Sequence, residues 1–205
     1  MDTENKTTFF DRLSPFLSPS ELNKIQLAYV LAKFYHRAQK RKEIDEQGNQ
    51  IRYFEHVRRV TLSLIDNFSI FEPDIICSAL MHDLLEDSED VTPEMLEFTF
   101  GSNVTKIVKL LTKKDSNYFL NLKKSASYEA WLIKLADRYD NLTHLEQCNN
   151  VFIVKQIEET RNKILPAILS ILNSFTIKQQ ENLVKLLTLL EECLFGLEIK
   201  LGLRA

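Results

Sequence analysis

The chain predicts an all-α fold, a single helical bundle finished by an extra C-terminal helix. Only 4 glycines and 5 prolines punctuate 205 residues, and no window alternates apolar with polar side chains for long. A strand-rich fold would need both signals. Apolar residues recur instead at helical spacing. With 44% hydrophobic and 27% charged residues, the chain has the composition of an ordinary globular protein with one sizeable core.

The elements follow in order. Ser20 is expected to cap a helix through about Lys42, with Leu22, Ile25, Leu27, Leu31 and Phe34 among its apolar positions. Glu43 to Asn49, containing Gly48-Asn49, is expected to be a loop. A second helix should cover roughly Tyr53 to Asn67, and Pro73 suits the first turn of a third that ends after Asp87. Thr92-Pro93-Glu94 opens a short helix closed by Gly101. Further helices are expected over Ser102 to Thr112, Tyr118 to Lys124, Tyr128 to about Gln147, Phe152 to Phe175 and Ile177 to Leu201. The last carries Leu183, Leu186, Leu187, Leu190, Leu194 and Leu197, a stripe suited to core packing. With no linker or repeat, residues 1–205 are expected to form one domain, its core over about 20–175 and its C-terminal helix over about 177–201.

Charge and cysteine content exclude some classes. A net charge of −3 and a pI near 5.9 give no global reason to expect a nucleic-acid or anionic-membrane partner. A phosphate-rich small ligand would need a local basic patch, which Lys40-Arg41-Lys42 supplies. The N-terminus shows no positive n-region followed by an apolar stretch, so no secretory signal is expected, and no run of about 18 apolar residues exists to span a membrane. Cys77, Cys148 and Cys193 form neither a disulfide framework nor a zinc knuckle, and are expected to be small buried hydrophobes in a reducing cytoplasm.

The chemistry concentrates in Met81-His82-Asp83-Leu-Leu-Glu86-Asp87, which follows the apolar run Ile75 to Leu80. Read as one continuous helix, this places His82 above Glu86, and Asp83 near both Glu86 and Asp87. Carboxylates and an imidazole emerging from a core helix call for a neutralising cation. His56, in Tyr53-Phe-Glu-His56, and Asp137, after Trp131-Leu-Ile-Lys-Leu-Ala, complete a mixed nitrogen and oxygen set. Such a set suits Mn²⁺, Fe²⁺ or Zn²⁺ better than Mg²⁺ or Ca²⁺. His36 is expected to be structural, and Trp131 and Tyr128 to pack the helix that carries Asp137. Asp140 and His144 suit equally a change in pocket electrostatics or an exposed i, i+4 pair.

In order and spacing, His56, the run His82-Asp83-Leu-Leu-Glu86-Asp87, Phe100-Gly101, Leu111-Thr112-Lys113 and Lys134-Leu-Ala-Asp137-Arg138-Tyr-Asp-Asn141 resemble the HD hydrolase domain of RelA/SpoT enzymes. The resemblance covers about Ala28 to Pro166. It implies an all-α HD fold that holds one Mn²⁺ on His56, His82, Asp83 and Asp137, with other divalent transition metals possible. It further implies that Glu86 and Asp87 position or activate the attacking water. Arg41 and Lys42 correspond to residues that hold the nucleotide, and Tyr53 and Asn141 match its pocket. The implied activity is hydrolysis of the 3′-diphosphate of (p)ppGpp to GDP or GTP and pyrophosphate, by a stand-alone enzyme. Spacing leaves open which of Glu86 and Asp87 is the base, and Glu86 is favoured for its orientation with His82.

The segment before His56 departs from the family. Gly48-Asn-Gln-Ile-Arg-Tyr53-Phe-Glu-His56-Val57 has Arg52 and Val57 where the family has prolines, and the loop after Lys42 is longer. These changes leave two alternatives: an HD phosphohydrolase for another nucleotide, such as NADPH or a related alarmone, or a nucleotide-binding regulator without turnover.

Overall fold

The computed structural model describes residues 5–145 and 148–203. Helices dominate, as expected. Asn5 caps α1 (Lys6–Asp11), its side chain accepting the Thr7 and Thr8 N–H groups at 2.8 and 3.2 Å. The sequence reading did not foresee this helix; it sets Phe9 against Phe10 and Tyr29. In α2 (Pro19–Tyr35) the cap is Ser18 rather than Ser20, with Glu21 completing a reciprocal capping box.

The structure corrects the expected run of this helix to Lys42. It stops at Tyr35, and β1 (Lys40–Ile44) pairs antiparallel with β2 (Gln50–Arg52). The turn explains the change. Asp45 Oδ1 accepts from the backbone N–H groups of Gln47 and Asn49, at 3.0 and 2.7 Å. Gly48 supplies the φ of 84° that reverses the chain. The expected loop is thus the tip of a hairpin that feeds straight into α3 (Tyr53–Phe68).

The expected helix from Pro73 to Asp87 is also corrected. It is two pieces, α4 (Pro73–Leu80) and α5 (Leu84–Asp87), separated by a break at Met81-His82-Asp83. Met81 and Asp83 take φ, ψ near −112°, 10° and −100°, −5°, the bridge region common at active sites. His82 and Glu86 therefore do not stack on one helical face.

Thr92 caps α6 (Pro93–Phe100), and Gly101, at φ 90°, turns the chain into α7 (Ser102–Leu111). α8 (Tyr118–Ser125) leads to α9 (Tyr128–Thr143), capped by Ser127. The expected end of that helix at Gln147 lies outside the described residues. The single helix expected from Phe152 to Phe175 is instead α10 (Asn150–Glu159), a wide π turn over Thr160–Ile164, α11 (Leu165–Leu169) and a 3₁₀ turn. Pro166 is the physical reason: its ring clashes with the preceding turn of a regular helix, and a wider turn relieves the clash. Thr176 caps the long α12 (Ile177–Lys200).

Two apolar cores meet at α3, α4 and α7. Phe54, Val57, Ile76, Leu80 and Val108 face a core shared with α1 and α2. Val60, Leu64, Ile75, Ala79 and Ile107 face a core built on α9 and α12, with Trp131 fully buried and the leucine stripe of α12 against it. Cys77 is buried, but Cys148 and Cys193 are half-buried, which corrects the expectation of three fully buried thiols. Among the described residues no helix is long and apolar enough to cross a membrane. Trp131→Ala is expected to destabilise the fold by about 3–5 kcal/mol through cavity formation, read as a lower midpoint in urea unfolding.

Candidate functional site

The first turn of α3, the break after α4 and the middle of α9 converge. α3 brings Tyr53 and His56, three residues apart, onto one face. His56 Nδ1 bonds Asp140 Oδ2 at 2.7 Å. A carboxylate only accepts here, so the hydrogen sits on Nδ1 and Nε2 is left to face the cluster. His82 is fixed in the same sense, its Nδ1–H donating to the Ala79 carbonyl at 2.7 Å. The break in the helix makes this possible by freeing His82 and Asp83 to point into one centre.

Four atoms meet there. His56 Nε2 is 3.2 Å from Asp137 Oδ1 and 3.9 Å from Asp83 Oδ2. His82 Nε2 is 3.1 Å from Asp83 Oδ2 and 3.8 Å from Asp137 Oδ1. Two ligands each about 2.1 Å from a common ion stand roughly 3.0 to 3.4 Å apart at octahedral or tetrahedral angles, close to this spacing. Both Nε2 atoms are buried without a hydrogen-bond partner, an arrangement that buried polar groups avoid unless something binds them. The donor set therefore fits a divalent cation, and His56, His82 and Asp137 lie within 4.8 Å of one another.

Charge in the cluster is strongly redistributed. Burial works to raise the Asp137 carboxyl, but Lys134, His56 and His82 hold it well below the carboxylate range. Asp83 is also held low, burial being outweighed by His82. Burial opposes charging His82, yet Asp83 and Asp137 lift its imidazole to about 9. In the metal-free protein His82 therefore carries a proton that a cation must displace.

A closed network of polar contacts surrounds the cluster. Asp140 accepts from Arg59 Nε at 2.8 Å, and Arg59 reaches Glu43 at 2.9 Å. Glu43 accepts from Arg41 at 3.0 Å, Arg41 donates to Asn141 Oδ1 at 2.7 Å, and Asn141 Nδ2 returns to Asp137 Oδ1 at 2.6 Å. Asp140 is thus buried and aligns His56, while its Oδ1 also lies 3.6 Å from His144 Nδ1 on the same helix. Burial would raise its carboxyl, but His56 and Arg59 keep it low. Asp140→Asn is expected to weaken divalent-ion affinity about 10- to 100-fold, measured by competition with a chelating dye.

Sequence reasoning gave Arg59 and Lys134 no supporting role and left Asp140 open, although each lies three residues from a member of the cluster on its own helix: Asp140 and Lys134 from Asp137, Arg59 from His56. Glu43 gave no such signal, because only the hairpin brings it there.

Of the other expected residues, Arg41, Lys42, Tyr53 and Asn141 line one cavity of about 240 Å³, closed by Leu145, Cys148 and Phe152. Lys42 Nζ lies 3.8 Å over the Phe152 ring, and the Arg41 guanidinium 5.5 Å over Tyr53. Tyr53 also donates to Asp83 Oδ2 at 2.6 Å, joining this cavity to the cluster.

Glu86 and Asp87 flank the other side but part company. Glu86 Oε2 accepts the Lys113 backbone N–H at 2.8 Å, so the expected pairing with His82 is replaced. Asp87 lies 3.9 Å from His36 Nδ1, and Gln39 holds its backbone carbonyl at 3.1 Å. His36 itself is buried, bonded to Gln39 and stacked on Tyr53 at 4.8 Å. Burial, then the charges of Asp83 and Glu86, raise the Asp87 carboxyl to about 6. A carboxylate so poised can exchange a proton near neutral pH.

No family model matches the chain. A Drosophila melanogaster guanosine-3′,5′-bis(diphosphate) 3′-pyrophosphohydrolase MESH1 is 35% identical over 122 residues, which cover 56% of this chain and 65% of the fly protein. The Mus musculus MESH1 is 32% identical over 136 residues, covering 63% of this chain and 73% of the mouse protein. An Aquifex aeolicus guanosine-3′,5′-bis(diphosphate) 3′-pyrophosphohydrolase is 34% identical over 137 residues, only 18% of its length. In fold, the chain is similar to the solved structure of a metazoan ortholog of SpoT, described as hydrolysing ppGpp and acting in starvation responses. The TM-score is 0.63 at 24% identity, over 83% of this chain and 95% of that one. The match therefore falls just short of two thirds of the fly protein but spans nearly three quarters of the mouse protein. The chain belongs to the family of MESH1-type guanosine-3′,5′-bis(diphosphate) 3′-pyrophosphohydrolases.

Proposed function

We propose that this protein hydrolyses the 3′-diphosphate of (p)ppGpp, releasing pyrophosphate and leaving GDP or GTP. The observation that carries the reading is the pair of buried, unpartnered Nε2 atoms of His56 and His82, facing the Asp83 and Asp137 carboxylates. The activity that names the fly and mouse relatives supports it. His56, His82, Asp83 and Asp137 would hold the ion; the mixed donor set suits Mn²⁺, Fe²⁺ or Zn²⁺, and Mn²⁺ is the one that the resemblance to RelA/SpoT hydrolases implies. When bound, the ion supplies charge neutralisation at the phosphates and activation of water at neutral pH.

The chain's own residues supply the rest. Arg41, Lys42, Tyr53 and Asn141 bind the nucleoside part in their cavity. Asp87, near 6, takes the proton of the attacking water. Glu86, fixed by the Lys113 N–H, orients that water. Lys134 and Lys113 face the developing charge on the phosphates. Residues 1–205 act as one hydrolase unit on a small nucleotide, without nucleic acid or membrane. Free Cys77, Cys148 and Cys193 support a cytoplasmic setting.

The test is incubation of the purified protein with Mn²⁺ and ppGpp, followed by chromatography. GDP and pyrophosphate in equal amounts are expected. Binding of ppGpp without turnover at any metal concentration contradicts the proposal, as does turnover of NADPH alone.

A further inference from the structure

Beside the cluster, α10 lays Glu159 between two cations from different walls. Glu159 Oε1 accepts from Lys113 Nζ at 3.0 Å, and Oε2 from Arg138 Nη2 at 2.6 Å. Both partners adjoin the chemistry. The Lys113 backbone N–H holds Glu86, and Arg138 follows Asp137 in α9. Arg138 is buried and its second amino group bonds Gln156, so its guanidinium is fixed in place. Lys113 is half-exposed, on a flexible stem. The other side of the helix is tethered: Arg161 bonds Glu198 at 2.9 Å and also pairs with Glu191 on α12. Glu159 is thus delivered to the rim by an anchored helix. Its carboxyl is held down to about 2 by Lys113 and Arg138 against the effect of burial, so it is an anion at any working pH.

A carboxylate bridging two cations makes the same charge-assisted bonds as a phosphate. The contact to half-exposed Lys113 adds little stability, because water screens an exposed ion pair and ordering the side chain costs entropy. It does keep that ammonium from a phosphate arriving between the cluster and Glu86. Given the pyrophosphohydrolase reading above, we propose that Glu159 is an internal anion that competes with a substrate phosphate for Lys113, and so limits how tightly phosphate-rich ligands are held.

The experiment is calorimetric titration of the metal-loaded protein with inorganic pyrophosphate, which needs no turnover. Glu159→Gln keeps an acceptor for Arg138 and removes the charge. It is expected to bind pyrophosphate about fivefold to tenfold more tightly, with the KM for ppGpp falling by a similar factor. In a Lys113→Met background the same change is expected to have no effect, a dependence that a purely structural tie would not show. Glu159→Asp shortens the reach to Lys113 while keeping the charge. It is expected to give a smaller gain in the same direction, and it serves if the Gln variant does not fold. Unchanged or weaker pyrophosphate binding in these variants overturns the proposal, as does a gain that persists without Lys113. Hydrolysis of ppGpp by the unmodified chain tests the underlying reading separately.

Discussion

Asp83→Ala is expected to abolish retention of a divalent ion and to lower ppGpp hydrolysis by on the order of a thousandfold or more. Asp83 Oδ2 is the atom shared by three interactions: His82 Nε2 at 3.1 Å, His56 Nε2 at 3.9 Å and the Tyr53 hydroxyl at 2.6 Å. Removing it takes one donor from the centre and the acceptor from Tyr53. The orphaned hydroxyl costs about 1–3 kcal/mol, so Asp83→Asn, which keeps an acceptor for Tyr53, separates metal loss from unfolding. Metal content by plasma mass spectrometry should fall towards zero in both variants.

The same residue links stability to pH in the metal-free protein. His82 is raised from 6.5 to about 9, so its contribution is complete below 6.5 and is lost as pH rises through 9. Asp83 is depressed from 3.8, so its contribution is present above 3.8 and is lost on acidification. In Asp83→Ala the second effect should vanish and the first should shrink, because Asp137 still faces His82, leaving a flatter profile of unfolding midpoint against pH.

Asp87→Asn is expected to keep the metal and lose about 10²–10⁴ in kcat, the usual range for a general base. Its side chain approaches His36 and Tyr53, and the carboxyl is raised from 3.8 to about 6 by burial and by the charges of Asp83 and Glu86. A raised carboxyl opposes folding wherever it is ionised. The penalty is absent below 3.8 and complete above about 6. The metal-free Asp87→Asn protein should accordingly unfold at a higher temperature than the unmodified protein at pH 7.5, and at the same temperature near pH 3.5. A slower but more stable variant distinguishes a poised base from a structural carboxylate. A variant with full activity rejects the assignment of Asp87, and a matching Glu86→Gln variant shows which carboxylate carries the proton.

The four converging residues were legible because His56, His82-Asp83 and Asp137 sit at motif positions that survive whatever the backbone does between them. Their geometry was not. Periodicity treats Pro73 to Asp87 as one helix, whereas convergence of His82 and Asp83 on His56 requires the break at Met81 to Asp83. That break also separates Glu86 from His82 and hands it to Lys113. The hairpin escaped detection because Lys40 to Ile44 is a short, mostly polar strand held by backbone pairing and an Asp45 turn, not by an apolar face. It nevertheless delivers Arg41 and Glu43 to the site. The π turn at Thr160 to Ile164 was foreshadowed only by Pro166. Asp140 was visible but ambiguous, since a helix diagram shows His144 as a neighbour and cannot show that His56 arrives from another helix.

Hydrolysis of ppGpp in ¹⁸O-labelled water probes the central claim most directly. Water attacking the ribose-proximal phosphorus forms one oxygen–phosphorus bond and breaks the bond to the ribose 3′ oxygen, which leaves with a proton. Mass spectrometry should then find one ¹⁸O in each pyrophosphate, none in GDP, and no label transfer in Asp83→Asn. Release of orthophosphate, or label in the nucleotide, would contradict a 3′-pyrophosphohydrolase built on His56, His82, Asp83 and Asp137.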